Sequence, residues 1–251
     1  MVEDIIKSYS DLSFHKKIGE LIKKHSENTS DIREAVKGAI DWGNVHSILD
    51  LGCGYGWFEE TLDGEFDLMI GIDYLDANEA EFLKIAGSIA KKAIFKKMHL
   101  PSPIEAQPDS FDLIVSAYSL YFFPETIPEV KRVLHPKGTF LIITHSESML
   151  GEGERFFHFK NLRKVIENFS AENGEEILKA YFKNITSIDY LNTLVFTKDD
   201  SETLVKYIDF KREFISKDAD PRLVSEKMLL ELRTKGVLRF NKNDRIFVVR
   251  K

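Results

Sequence analysis

The sequence predicts an α/β fold: a mostly parallel sheet of seven strands with helices on both faces, preceded by helices and interrupted late by a helical lid insertion. Three observations predict it. From Ser47 onward, short apolar runs alternate with stretches of helical periodicity, the pattern of strand–helix–strand units. Ile48-Leu49 and Leu113-Ile114-Val115 are continuous apolar runs, as strands covered on both faces require. The first run ends in a turn with glycines at 52, 54 and 56.

Taken in order, Val2, Ile5, Ile6 and Tyr9 fall at helical spacing, as do Ile18, Leu21, Ile22 and His25. Asp31, with Glu34 three residues on, reads as the cap of a third helix whose face carries Ile32, Ala35, Val36, Ala39 and Ile40. Strands are expected at 47–51, 68–72, 93–98, 111–116 and 139–144, and helices at 56–62, 76–90 and 124–134. Pro101, Pro103 and Pro108 argue against a helix between 98 and 110. Helices follow at 161–169 and 175–182, an extended stretch at 185–197, helices at 201–215 and 221–235, and a final strand at 245–250. The domain expectation is a cap over 1–41, a sheet domain over 42–198 with 237–251, and a lid over 199–236.

Composition narrows the function classes. The 251 residues are 43% hydrophobic and 30% charged, the make-up of a folded domain. No apolar run is long enough to span a bilayer. Met1-Val2-Glu3-Asp4 carries acid where a secretory signal carries Lys or Arg, so a cytoplasmic location is expected and no membrane partner. One cysteine excludes an internal disulfide and an all-cysteine metal site, and no metal is expected. The net charge of −6 lacks the basic field of a nucleic-acid binder, although Lys91-Lys92 and Lys96-Lys97 form local pairs.

The glycine turn is the most informative segment. It reads Ile48-Leu49-Asp50-Leu51-Gly52-Cys53-Gly54-Tyr55-Gly56-Trp57-Phe58. A dinucleotide fingerprint would need glycine where Trp57 stands, and a phosphate-binding loop would need Gly-Lys-Ser/Thr. Asp-Leu-Gly-Cys-Gly-Tyr-Gly after an apolar strand instead resembles the first motif of class I S-adenosylmethionine-dependent methyltransferases. Three later features agree in order. Gly71-Ile72-Asp73 ends the second strand with an acid 21 residues after Gly52. Ser110 to Ser116 resembles the family's fourth strand. Leu134-His135-Pro136-Lys137-Gly138 resembles its L-x-P-G-G turn, with Lys137 in place of the first glycine. The resemblance covers about residues 45–146 and implies a Rossmann-like sheet.

It also implies a cofactor, S-adenosyl-L-methionine, and a site. Asp73 would accept hydrogen bonds from the ribose diol. Asp50 would orient the glycine loop or the ligand's ammonium, and the backbone of Gly52, Cys53 and Gly54 would meet the amino-acid tail. Tyr74 either packs on adenine or ribose or is a surface aromatic. Family members often place an acid after the third strand; here the segment is Lys97-Met98-His99, so Met98 and the backbone of His99 would serve the adenine. Ser116 completes the expected cofactor set. Methyl transfer needs chiefly in-line positioning of the acceptor, with a base only where a proton must leave. Candidates facing the acceptor are Tyr118, Tyr121 and His145, with Ser119 and Glu147 beside them. Tyr9, Phe14, His15 and the stretch Arg155-Phe156-Phe157-His158-Phe159 either line the site or serve as packing.

Ser116-Ala117-Tyr118-Ser119 is not the Asn/Asp-Pro-Pro-Tyr/Phe of enzymes that methylate planar exocyclic nitrogens. Cys53 lies inside the glycine loop, out of place for a cytosine-attacking thiol. The expected acceptor is a small molecule. An RNA- or protein-directed methyltransferase and a non-catalytic cofactor-binding module stand as alternatives, and nothing in the sequence fixes an oligomeric state.

Overall fold

In the computed structural model, which describes residues 5, 9–156, 158, 160–212 and 220–251, seven strands form one sheet. They are β1 (Ser47–Leu51), β2 (Leu68–Asp73), β3 (Ala93–Lys97), β4 (Phe111–Ala117), β5 (Leu134–His145), β6 (Asn184–Tyr190) and β9 (Asp244–Arg250). Their order is β3-β2-β1-β4-β5-β9-β6. The pairs β1·β2, β1·β4, β2·β3 and β4·β5 are parallel. Sequence order therefore reverses between β1 and β4, the place where open α/β sheets bind ligands beyond the carboxyl ends of their strands.

Both faces are covered, as the apolar runs require. Ile48, Leu113, Val115, Leu141 and Ile143 bury in one core with Ile32, Val36 and Phe82. The alternate residues Leu49, Ile114 and Ile142 bury as fully, so the opposite face is covered too. At the amino ends, Asp112 ties β4 to β1: its Oδ2 accepts from the Ser47 hydroxyl at 2.8 Å and from the His46 and Ser47 amides at 3.0 Å. The proline-rich link stays irregular. Arg132 fastens it, donating to the Ala106 and Ile104 carbonyls at 2.8 and 2.7 Å.

The helices are α1 (Leu12–His25), α2 (Ile32–Lys37), α3 (Glu79–Ile89), α4 (Ile127–Val133), α5 (Lys160–Ile166), α6 (Gly174–Lys179), α7 (Ser201–Lys211) and α8 (Pro221–Lys235). Asp11, Asp31 and Asp220 cap α1, α2 and α8 by accepting a backbone N–H of the first turn. Three expectations change. The helix over 56–62 is replaced by turns and a 3-10 turn at Glu59–Thr61, because Gly54 and Gly56 take positive φ. β5 begins already at Leu134, before the expected 139. The stretch 185–197 divides at Leu191-Asn192 into β6 and β7 (Thr193–Thr197). β7 pairs antiparallel with an unanticipated β8 (Val237–Asn241) in a separate two-stranded sheet. Asn192 fixes the break, receiving the Asn28 amide and donating to Ser26 Oγ at 2.8 Å. The expected first helix falls mostly outside the described residues, as do Phe157, Phe159 and residues 213–219 of the expected lid.

The chain divides into two compact units. One comprises 30–145, 168–190 and 245–251 and contains the large sheet. Its boundary at Ser30 puts Ile32, Val36 and Ile40 into the sheet's core, whereas the expected cap ran to residue 41. The other comprises 1–29, 146–167 and 191–244. Within it Tyr9, Phe14 and His15 are packing residues. Phe14 meets the Phe210 ring at 5.8 Å, and Tyr9 sets its ring edge to His15 at 4.8 Å.

This second unit buries Lys211, only 5% exposed, with its ammonium 5.2 Å from the Phe210 ring. Lys242 and Asp244 pair beside it at 2.8 Å, both buried. Burial first, and the Lys242 charge second, pull the Lys211 pKa down to about 7. The unfolded chain keeps that proton up to 10.5, so between the two values it binds more protons than the folded chain and stability rises with pH. Lys211→Met should remove this slope. Thermal unfolding at about pH 6 and about pH 9 checks it, with the variant's advantage larger at the lower pH. Equal differences at both would show that Lys211 keeps its proton.

Candidate functional site

The site is built on the turn that follows β1. Gly52 (φ +72°) donates its N–H to the Ile72 carbonyl at 2.7 Å, and Cys53 to the same oxygen at 3.1 Å, which hangs the turn on the end of β2. A Cβ at Gly52 would lie 2.5 Å from Ser119 Cβ, so only glycine fits there. Ser119 Oγ donates to the Leu51 carbonyl at 2.6 Å and meets Ser116 Oγ at 2.6 Å. Ser116 is fully buried, and its hydroxyl braces this turn.

Asp73, at the carboxyl end of β2, closes the turn from the other side. Its Oδ2 accepts from the Gly54 amide at 2.8 Å, and its Oδ1 from the Leu75 amide at 2.8 Å and Asn78 Nδ2 at 3.3 Å. Burial raises its pKa, and these donors act against the rise. Gly71 lets Phe82 and Cys53 approach: a Cβ there would sit 2.5 Å from Phe82 Cζ and 2.6 Å from Cys53 Sγ. The buried thiol is pushed well up in pKa, first by burial and then by Asp50, and acts as a small packing group. Tyr74 is exposed and sets its ring edge-on to His99 at 5.4 Å. The Met98 amide donates to the Asp73 carbonyl at 2.9 Å, which brings the expected Asp73, Tyr74, Met98 and His99 to one rim.

Asp50 is buried in β1, and burial raises its pKa well above the usual carboxylate range. Glu59, equally buried in the turn after the glycines, is pushed up to about 7 by the same cause.

The acceptor candidates also come together. The His145 ring, at the end of β5, stacks on Tyr118 at 4.6 Å and lies 5.9 Å from Tyr121. Tyr118 holds φ +58°, a strained conformation for a non-glycine residue. Its ring reaches Trp57 at 5.7 Å, and Arg33 stands over Trp57 at 4.4 Å while chelating Asp31. Sequence reasoning missed Glu59, Asn78 and Arg33. Only Asn78 had a local signal, as a polar residue shortly after the acid of β2. In the other unit, Arg155 pairs with Glu231 at 2.9 Å and His158 with Glu154 at 3.2 Å. No group of three or more metal-ligating side chains exists among the described residues, and no described helix is long and apolar enough to cross a membrane.

No curated protein matches the chain. Among solved structures, the fold is similar to an S-adenosylmethionine-dependent methyltransferase of Thermotoga maritima described as a possible histamine N-methyltransferase. The identity is 16% and the TM-score 0.57, over 98% of this chain and 100% of that one. It is also similar to the YcgJ protein of Bacillus subtilis, at 18% identity and TM-score 0.54, over 87% and 98% of the two chains. At these identities the likeness concerns the fold. A family model described as a methyltransferase domain matches residues 43–238, most of the chain and all of the glycine turn. The chain belongs to that methyltransferase-domain family, as a class I enzyme with S-adenosylmethionine for its cofactor.

Proposed function

We propose that the enzyme transfers the methyl group of S-adenosylmethionine to a small-molecule acceptor, chiefly by positioning. The observation that carries the cofactor half is the bond from the Gly54 amide to Asp73 Oδ2, which joins the strand-two acid to the glycine turn where strand order reverses. The residues fit the ligand. Asp73 offers acceptor oxygens to the ribose diol, the open space beside Gly54 admits the amino-acid tail, and the buried acid Asp50 suits its ammonium. Tyr74, Met98 and His99 form the adenine rim, and the backbone of Gly52, Cys53 and Gly54 meets the tail.

The bound cofactor supplies a methyl group on cationic sulfur. What the chain supplies is orientation. Tyr118, Tyr121 and His145 hold the acceptor at the strand ends, with His145 able to take a proton where the acceptor must lose one.

A small acceptor is favoured over RNA because three of the four lysines in the basic pairs are already engaged. Lys91 binds Asp67 at 2.7 Å, Lys96 binds Glu105 at 3.2 Å and Lys97 binds Asp76 at 2.6 Å. Nucleic-acid binding would need such charges turned to phosphates. The test supplies purified enzyme and S-adenosylmethionine with a metabolite extract, total RNA or total protein, and follows S-adenosylhomocysteine formation. Turnover on the metabolite extract alone is expected. Turnover confined to RNA or protein overturns the acceptor class.

A further inference from the structure

The buried acids of the site have a peculiarity that cofactor chemistry explains. Asp50 and Glu59 are each 1% exposed. Asp50 Oδ1 and both carboxyl oxygens of Glu59 find no donor among the described residues. Buried polar atoms are rarely left so, and three in one place point to a missing positive partner. Glu59 pushes the Asp50 pKa up while Asp50 holds that of Glu59 down, as two neighbouring buried acids with one proton between them do.

The groups around them offer no relief. Asp73 acts on Asp50 as another acid, Glu60 acts on Glu59, and the Cys53 thiol feels both carboxyls. Arg33 comes within 3.7 Å of Glu60 but is chelated by Asp31.

Resting on the cofactor reading above, we propose that Glu59 is a positioning residue for the cofactor's amino-acid tail: Asp50 and Glu59 share a proton in the free enzyme and release it when the tail's ammonium docks against them. The step balances. The shared proton goes to solvent, the pair becomes two carboxylates, the incoming ammonium restores the local charge, and no bond of the ligand changes. Glu59 acts by setting how readily Asp50 ionises, while Asp50 meets the cation.

The sign follows from burial, which keeps the proton on the pair in the free enzyme. Raising the pH removes it in advance, so affinity rises with pH by up to about tenfold per unit for one released proton, then levels off. Asp73 also has a raised pKa and also favours binding at higher pH, so the test must separate the two.

The experiment is titration calorimetry near neutral pH in buffers of different ionisation heat, which counts protons released. The probes are S-adenosylhomocysteine and 5′-methylthioadenosine, which has the ribose and adenine but no ammonium. In the parent enzyme, S-adenosylhomocysteine should release roughly half to one proton more than 5′-methylthioadenosine. Glu59→Gln should lose that excess while keeping the part due to Asp73. Should Glu59→Gln fail to fold, the two-probe comparison on the parent decides alone; should 5′-methylthioadenosine bind too weakly, parent against Glu59→Gln decides. Equal proton release in the deciding pair overturns the inference and leaves the cofactor reading intact. Absence of S-adenosylhomocysteine binding by folded, ligand-free parent overturns both.

Discussion

Asp73→Ala should weaken S-adenosylmethionine binding by about a hundred- to a thousandfold, or roughly 3–4 kcal/mol. The carboxylate does two jobs at once. It accepts from the Gly54 and Leu75 amides at 2.8 Å each, and so fixes the path of the backbone that the amino-acid tail must meet. On the proposed reading it is also the acid offered to the ribose. Hydrogen bonds to charged groups contribute about 1.5–3 kcal/mol apiece, so losing two anchors and the ligand contacts accounts for the size of the effect. A carboxylate has about four acceptor positions, and three are taken. On the proposed reading one ribose hydroxyl would take the open position on Oδ2 and the second would displace Asn78, whose 3.3 Å bond is the longest of the three. Asp73→Asn should be nearly as harmful. Its amide must turn an N–H toward one of two backbone N–H groups, whichever way it flips. Isothermal titration with both variants is the measurement. Affinity within about threefold of the parent would place the ribose elsewhere.

Gly52→Ala should lower stability by roughly 2–5 kcal/mol, combining about 1–2 for a left-handed L-residue with about 1–3 for overpacking. The new methyl would start 2.5 Å from Ser119 Cβ and 2.9 Å from its Oγ. Ser119 cannot retreat without leaving the Leu51 carbonyl, to which it donates at 2.6 Å. Gly54→Ala supplies the contrast. Gly54 also has positive φ (+53°), but nothing lies within 4 Å of its Cβ position, so only the backbone strain remains. In a chain of this size each kcal/mol moves Tm by roughly 2–4 °C, so Gly52→Ala should melt roughly 4–20 °C below the parent and Gly54→Ala, with about 1–2 kcal/mol of backbone strain alone, roughly 2–8 °C below. Equal shifts would mean that Ser119 yields easily and that the turn is not braced by β4.

The sheet, the glycine turn and the acid that ends β2 could be read from residues because their signals are local. Each of the first five strands carries a short apolar run, and β1 runs into a glycine turn that few ligands require. Asp73 was legible because it ends such a run. Glu59 was not. It reads as one of two acids in a polar turn, and only the fold buries it against Asp50, nine residues earlier. The hairpin of β7 and β8 escaped notice because its partners are some forty residues apart and Asn192, an inconspicuous residue, ends the preceding strand through its contacts. The aromatic stack of Tyr118, Tyr121 and His145 joins two strand ends, a proximity that the strand order creates and the sequence lists only as separate residues.

The position of β9 between β5 and β6 has a consequence for how the chain is made. β6 is complete at Tyr190, but the strand that must lie beside it begins only at Asp244. At about 5–20 residues per second, a ribosome needs about 3–10 s to cover that interval. For those seconds β5, with Phe140, Leu141, Ile142 and Ile143 all destined for full burial, has an unpaired edge on the side β9 will occupy. An exposed apolar edge is a template for pairing with other chains. The nascent enzyme thus passes through a window of vulnerability to aggregation set by topology, in which a chaperone, or rapid collapse of Leu191 to Asp244 into their own unit, would have the most to protect.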